Sequence, residues 1–213
     1  MHIPPETQLI AIRHGETEWN SEGRFQGHLN STLSREGLAQ AQALAERMRR
    51  ERFDLLLSSD LGRALQTASA VAMRTGHEIV VEPRLRERRM GIFQGLTAEE
   101  VERQYPAEFA RFRSRDPDYA IPGGESMREL YQRSVACFTD LAERHAGLTL
   151  AAVSHGGVLA MLYRHSRGIA LDAPRDFTLH NAGINRFCRR QGAWELTGWG
   201  DIGHLEHALD DPE

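Results

Sequence analysis

Three short apolar runs, each ending abruptly in a polar or glycine-containing turn, constrain this chain more than any other feature. Leu9–Ile12, the D-L-L-L-S segment 54–58 and Leu148–Val153 are each too short for a helix and nearly free of polar residues. A strand that is apolar on both faces belongs in the interior of a sheet covered on both sides. Between these runs lie helical patterns. Residues 34–51 carry Leu38, Ala41, Leu44, Ala45 and Met48 at helical spacing, Leu61 to about Arg74 reads as a second helix closed by Gly76, and Gly157–His165 as another. E-I-V-V-E at 78–82 adds a further strand, and 184–189 with 193–198 a closing hairpin. The alternation predicts an α/β fold, a three-layer α/β/α sandwich around a mostly parallel central sheet.

Thr97-A-E-Glu100 and Ser126-M-R-Glu129 both fit the capping box, which puts helix starts at 97 and 126, the second helix running to about His145. The stretch from Glu87 to Gly124 is punctuated by Asp116-Pro117, Ile121-Pro122 and Gly123-Gly124. It reads as a mainly helical insertion, at about 88–124, within one domain spanning 1–213. At 213 residues the chain can bury a proper core. Its 26 Lys+Arg against 30 Asp+Glu give a net charge of −4, so no global basic field invites nucleic acid or an anionic membrane. No apolar run approaches the ~18 residues of a membrane span. Met1 to Gln8 lacks the pattern of a signal peptide, which makes the cytoplasm the expected location. Cys137 and Cys188 are far apart without a C-x-x-C, as in a protein with reduced thiols.

In a sheet of this kind ligands bind beyond the carboxyl ends of the strands. The first strand delivers Arg13 and His14 there, the second leads through S-S-D-L-G-R to Arg63, the third through P-R-L-R-E to Glu87, and the strand at 148–153 ends in S-H-G-G with His155. Taken singly, each has a plain explanation: a solvated turn histidine, a helix-face arginine, one charge in a run of charges, a tight turn. Their common topological position is what joins them. Convergent guanidinium forks match the oxygens of a phosphate dianion, and the helix start near His155 would add backbone N–H donors. A neutral imidazole can attack phosphorus and carry it covalently. Glu87 could protonate the leaving oxygen and then activate water.

R-H-G-E-T-E-W-N at 13–20 resembles the signature of the histidine phosphatase superfamily, also called phosphoglycerate mutase-like. The likeness continues, in the family's order, through F-Q-G-H-L-N-S-T-L-S-R-E-G-L-A-Q-A at 25–41, S-S-D-L-G-R-A-L-Q-T-A at 58–68, L-R-E-R-R-M-G-I-F-Q-G at 85–95, P-G-G-E-S at 122–126 and S-H-G-G at 154–157. It implies the family's fold, His14 as the phosphorylated nucleophile, Arg13, Arg63 and His155 as ligands of the phosphoryl group, and Glu87 as proton donor. It also implies phosphate or substrate contacts from Asn20, Gln26, Gly27 and Gly156. Trp19 reads as packing. Asn30, Thr32 and Gly200 stand where the family usually has Asp, Pro and Asn.

Mutase members are similar up to Glu87 but continue with Y-G-x-L-x-G-L-N-K, whereas this chain has M-G-I-F-Q-G-L-T-A-E-E. That resembles the phosphatase branch, near broad-specificity acid phosphatases and α-ribazole phosphatases. The expected function is metal-independent hydrolysis of a small phosphorylated metabolite, without cofactor, by a monomer or homodimer. The alternatives are a 2,3-bisphosphoglycerate-dependent mutase and a non-catalytic phospho-ligand binding module. Arg84, Arg86, Arg88 and Arg89 crowd around Glu87 either as a second anion site or as a solvated loop. His204-L-E-His207 has a metal-like spacing but no third ligand nearby.

Overall fold

The computed structural model describes residues 5–205. A six-stranded sheet forms the centre, with β1 Thr7–Arg13, β2 Leu55–Ser58, β3 Ile79–Val81, β4 Thr149–Ser154, β5 Ile184–Arg190 and β6 Ala193–Asp201. Their order across the sheet is β3-β2-β4-β1-β5-β6. β1, β2, β3 and β4 pair in parallel, and β5 and β6 extend the β1 edge antiparallel. The helices are α1 Glu18–Ser21, α2 Arg35–Met48, α3 Gly62–Thr75, α4 Ala98–Gln104, α5 Pro106–Arg113, α6 Met127–Arg144 and α7 Gly156–Arg167. No helix among the described residues is long and apolar enough to cross a membrane.

The period of two along β1 sorts its side chains between two cores. Ile10 and Ile12 pack with Leu44, Met48, Ala64 and Ala68 of α2 and α3, while Leu9 and Ala11 face α6 and α7 through Phe138, Leu141, Val158 and Leu162. Helices on both faces give the sandwich its three layers. Each fully buried Leu or Ile contributes roughly 2 kcal/mol over an exposed one, so this layering fixes the register as well as the stability. Both capping boxes form, with Thr97 and Ser126 accepting from the backbone N–H of Glu100 and Glu129. Gly76 closes α3 in the left-handed region at φ 76°.

Several boundaries differ from the sequence expectation. β1 begins two residues earlier than the apolar run, because Thr7 buries its hydroxyl against Ala142 O at 3.1 Å. α1 was not expected, since its capping signal is Thr17-x-x-Asn20 rather than the usual Glu or Gln. In the 88–124 stretch lie a 3₁₀ turn at Gly91–Phe93 and helices α4 and α5, folded around a third apolar cluster that includes Phe93, Val101, Phe109 and Ile121.

Candidate active site

Strand register explains why two histidines distant in sequence meet. Arg13 pairs with Ser154 and Ser58 with Val153, so the residues just beyond β1, β2 and β4 are neighbours. His14 N–H bonds to Ser154 O at 3.0 Å, and the His14 and His155 rings lie 5.1 Å apart between centroids. Both are buried, as is Arg63 from the first turn of α3. The order of the sheet thus brings four of the five predicted polar residues, Arg13, His14, Arg63 and His155, to one carboxyl edge.

The local bonding defines the chemistry of His14. Its Nδ1–H donates to its neighbour's carbonyl, Gly15 O, at 2.7 Å, so the lone pair sits on Nε2. Thr67 Oγ1 accepts Gly15 N–H at 3.0 Å and donates to Arg63 O at 2.9 Å, tying this turn to α3. Arg63 Nε–H points at His14 Nε2, 3.2 Å away, while its two Nη groups donate to Leu29 O at 2.9 Å and Gly27 O at 2.8 Å. Burial, and then the Arg63 and Arg13 charges, hold the His14 pKa well below the usual histidine value. Near neutral pH the imidazole is therefore unprotonated, with an in-plane lone pair facing a cation. Burial likewise lowers Arg63, to about 10, which leaves the guanidinium charged.

His155 is held the same way, first by burial and then by Arg63 and His14. Its Nε2 is 2.8 Å from Ser59 Oγ, and its Nδ1 is buried without a partner. The Ser59 hydroxyl accepts Leu61 N–H at 3.3 Å and can donate to Nε2, which puts the ring proton on Nδ1 as an unused donor. Arg13 anchors one end on Leu179 O at 2.6 Å and leaves Nε buried and unpartnered. Unsatisfied buried donors each cost roughly 1–3 kcal/mol. Two of them beside a lone pair make an arrangement that an anion with several acceptor oxygens can satisfy.

Glu87 closes the opposite wall. Its Oε2 accepts Gly157 N–H at 3.0 Å, and its Oε1 accepts Arg88 N–H at 2.7 Å. The segment before it is fixed from behind by Arg133, which donates to Arg84 O and Arg86 O and pairs with Glu125 at 2.8 Å. His28 Nε2–H adds a bond to Glu87 O at 2.8 Å. A cleft of about 710 Å³ opens over these groups, lined also by Asn20, Gln26 and Gly27. Gln26 is buried, donating to Thr17 Oγ1 at 2.7 Å while its Oε1 has no partner. Asn20 uses Oδ1 to cap α1 and keeps its Nδ2 uncommitted. Gly27 has φ 55°, and a Cβ there would strike Met90 N at 2.8 Å, so only glycine brings its carbonyl to Arg63.

Gly157 lines the cleft and its N–H is taken by Glu87, while Gly156 sits beside the Arg13 guanidinium, where a Cβ would lie 3.6 Å from Arg13 Nε. Of the two readings of the Arg84–Arg89 cluster, the charge-balanced loop is the one whose pairs form. Arg84 pairs with Glu82 and Asp140, and Arg86 with Asp60, because those carboxylates, remote in sequence for two of the pairs, fold beside them. Arg89 points outward to Gly124 O at 3.4 Å, and only Arg88 reaches the cleft. Asn30, at the position of the usual Asp, accepts Arg63 N–H at 3.0 Å and so caps α3, whose N-cap Leu61 offers no side-chain acceptor. Ser59, Thr67 and Arg133 were missed by sequence reasoning; only Thr67, one helical turn after Arg63, had a legible signal. His204 bonds Ala182 O at 3.1 Å, and His207 lies outside the described residues.

Comparisons with known proteins identify the family. Residues 9–202 match the model of the histidine phosphatase superfamily, branch 1. The chain is 37% identical over 203 residues to phosphoglycerate mutase-like protein 4 of Arabidopsis thaliana, covering 93% of this chain and 87% of the relative. It is 39% identical over 202 residues to the metal-independent phosphoserine phosphatase of the same plant, covering 93% and 83%. Among solved structures, the phosphoserine phosphatase of Entamoeba histolytica in complex with 3-phosphoglyceric acid superposes with a TM-score of 0.84 at 30% identity, over 93% of this chain and 99% of that one. A match over nearly the whole described length, together with the paired histidines at one sheet edge, leaves one conclusion: the chain belongs to branch 1 of the histidine phosphatase superfamily.

Proposed function

We propose that this protein is a metal-independent phosphomonoester hydrolase working through a phosphohistidine on a small phosphorylated metabolite. The observation that carries the reading is the protonation geometry of His14: Nδ1–H fixed on Gly15 O, and an Nε2 lone pair facing Arg63 in a buried, cationic pocket. A bound phosphoryl group would accept from Arg13 Nε and His155 Nδ1, both free, and would draw Arg63 Nε–H off the nucleophile. Nε2 then attacks phosphorus in line, while Glu87 gives a proton to the departing oxygen and afterwards takes one from water. The donors on the non-bridging oxygens are preorganised and water-poor, so they act most strongly as charge builds in the transition state. Asn20, Gln26 and Gly27 shape the floor around the phosphate. We take the chain as one catalytic domain, acting in the cytoplasm as a monomer or homodimer, with the 88–124 stretch as an insertion that roofs the cleft.

The test is hydrolysis of p-nitrophenyl phosphate in the presence of chelator. The wild type should turn over, and His14→Ala should lose at least about 10³-fold in kcat. Undiminished turnover in His14→Ala would sink the mechanism. The mutase reading is favoured by the names of relatives: a phosphoglycerate mutase-like protein at 37% identity and several bacterial proteins named probable phosphoglycerate mutase at 34–36%. Phosphoglycerate interconversion that depends on 2,3-bisphosphoglycerate and outpaces phosphate release would select it.

A further inference from the structure

A strained turn grips the strand end that carries His14. Between α7 and β5 the chain passes through residues 179–183, whose bonds fall on Arg13 and His14. Leu179 O accepts from Arg13 Nη1 at 2.6 Å, and Gly183 O from Arg13 N–H at 3.4 Å. Ala182 N–H is shared between Arg13 O at 3.0 Å and His14 O at 3.2 Å. Asn181 adds its side chain, with Nδ2–H donating to His14 O at 3.0 Å. Ala182 holds φ at 53°, in the left-handed region that alanine enters only under strain, and its methyl is buried with the α2 and α3 core. The turn thus presents the Asn181 side chain and the Ala182 N–H to one carbonyl.

His14 O and Gly15 N–H are the two ends of one planar peptide unit. Asn181 and Ala182 hold the oxygen end, and Thr67 Oγ1 holds the N–H end at 3.0 Å. That plane directs the chain onward to Gly15 O, the acceptor of His14 Nδ1–H. The rotation of the imidazole, and with it the aim of the Nε2 lone pair, therefore depends on Asn181. The same amide faces a second residue of the cleft. Its Nδ2 lies 3.4 Å from Asn20 Oδ1, which also accepts Thr17 N–H at 3.2 Å and the Thr17 hydroxyl at 3.1 Å. Three donors on Oδ1 fix the orientation of the Asn20 amide and leave Nδ2 as its free donor in the cleft it lines. Asn185 provides the contrast. It is buried, donates from Nδ2 to Ala11 O at 3.2 Å and accepts Gly200 N–H at 2.9 Å. Both asparagines strap β1, but only Asn181 does so on the peptide that follows the imidazole.

We propose that Asn181 is a positioning residue for phosphoryl transfer: it fixes the His14–Gly15 peptide, and through it the aim of His14 Nε2, and it orients the Asn20 amide. The role rests on the hydrolase reading above.

Asn181→Ala removes the amide, and Asn181→Asp keeps its shape while removing the donor. Asn181 is half-buried, so neither change opens the core. Each should lower kcat/KM by about 30-fold, less than the roughly 10²-fold that a misplacement of ~1 Å can cost. The loss should be equal on p-nitrophenyl phosphate and on an alkyl phosphate, because attack by His14 is common to both, whereas a displaced Glu87 would penalise the alkyl ester more. Asn185→Ala should lower stability and leave kcat/KM within about threefold. Nitrogen NMR of the His14 ring supplies a readout that lost packing would not move. In the wild type Nδ1 is the protonated nitrogen, its signal assigned by absence in His14→Ala; Asn181→Ala should mix the two tautomers, and Asn185→Ala should not. Asn181 variants within about threefold of the wild type overturn the role. A loss with the ring signal unchanged, or one confined to the alkyl ester, overturns it as well. Absence of His14-dependent p-nitrophenyl phosphate hydrolysis in the wild type would remove the hydrolase reading and this role with it. Hydrolysis that both Asn181 variants retain would remove this role alone.

Discussion

The floor and the rim of the cleft are built from the same residue type in opposite states. On the floor, Arg63 is 1% exposed and commits all three nitrogens, one to His14 and two to carbonyls of the 24–33 loop. On the rim, Arg175 is exposed and makes one side-chain hydrogen bond, back to its own loop. The first is a structural member that also faces His14; the second is a charge turned to solvent. A cation at the positive end of a helix, as Arg63 is on α3, is unfavourable until an anion arrives. The floor tolerates that cost because neighbouring carbonyls and Asn30 hold the residue in place. On the rim Arg175 has only Phe177 to hold it, through one hydrogen bond and the ring face, and solvent screens the charge.

The sharpest way to break this contrast is Arg63→Ala. It removes the guanidinium beside His14 and leaves Gly27 O and Leu29 O without their donors. We expect kcat/KM to fall about 10³-fold, and stability to fall by about 1–3 kcal/mol from the orphaned carbonyls. Arg63→Lys should recover little of either, because a point charge cannot replace the fork. Steady-state kinetics with denaturant unfolding checks both. Recovery of full activity by Lys would show that the floor needs only charge, and the contrast with the rim would fail.

The far wall gives a smaller and more selective effect. Glu87 matters to the first step only when the leaving oxygen needs a proton. Glu87→Gln should lower kcat about 10²-fold on an alkyl phosphate and about tenfold on p-nitrophenyl phosphate, whose phenolate departs unaided. Equal losses on both would deny Glu87 its role as acid. Gly157→Ala should reproduce part of this pattern, because a Cβ there collides with Glu87 Oε1.

What the sequence made legible follows the same division. Arg13, His14, Arg63 and His155 could be read because each sits directly after an apolar strand or at the start of the next helix, so local pattern fixes their place in the sheet. Glu87, farther from the short β3, depends on Arg133 and His28 to hold its segment, and neither partner was foreseeable from spacing. Gln26 and Gly27 came only through resemblance. The arginines at 84–89 left two readings open, and Asp60 and Asp140 decide between them by pairing with two of the four across 26 and 56 residues.

A further expected effect is on stability, and it separates floor from rim by pH. His14 and His155 are held below their ordinary value by burial first, with arginine charges adding to it. The unfolded chain therefore binds protons at these two positions near pH 6.5, where the folded chain does not. Stability is then complete above about pH 6.5 and declines as pH falls below it, by up to about 1.4 kcal/mol per pH unit for each histidine until the folded form protonates. His28, His165 and His204 are held low as well, chiefly by burial, so denaturant midpoints in phosphate-free buffer between pH 7 and 5 should show the decline and His155→Asn should remove one part of it. Inorganic phosphate should flatten the decline in the wild type, since an anion on the floor favours charged imidazoles. Arginines on the rim have no proton to gain in this window, so Arg175→Gln should leave the slope where it was. A slope that changed with Arg175 would mean that floor and rim are electrostatically one site.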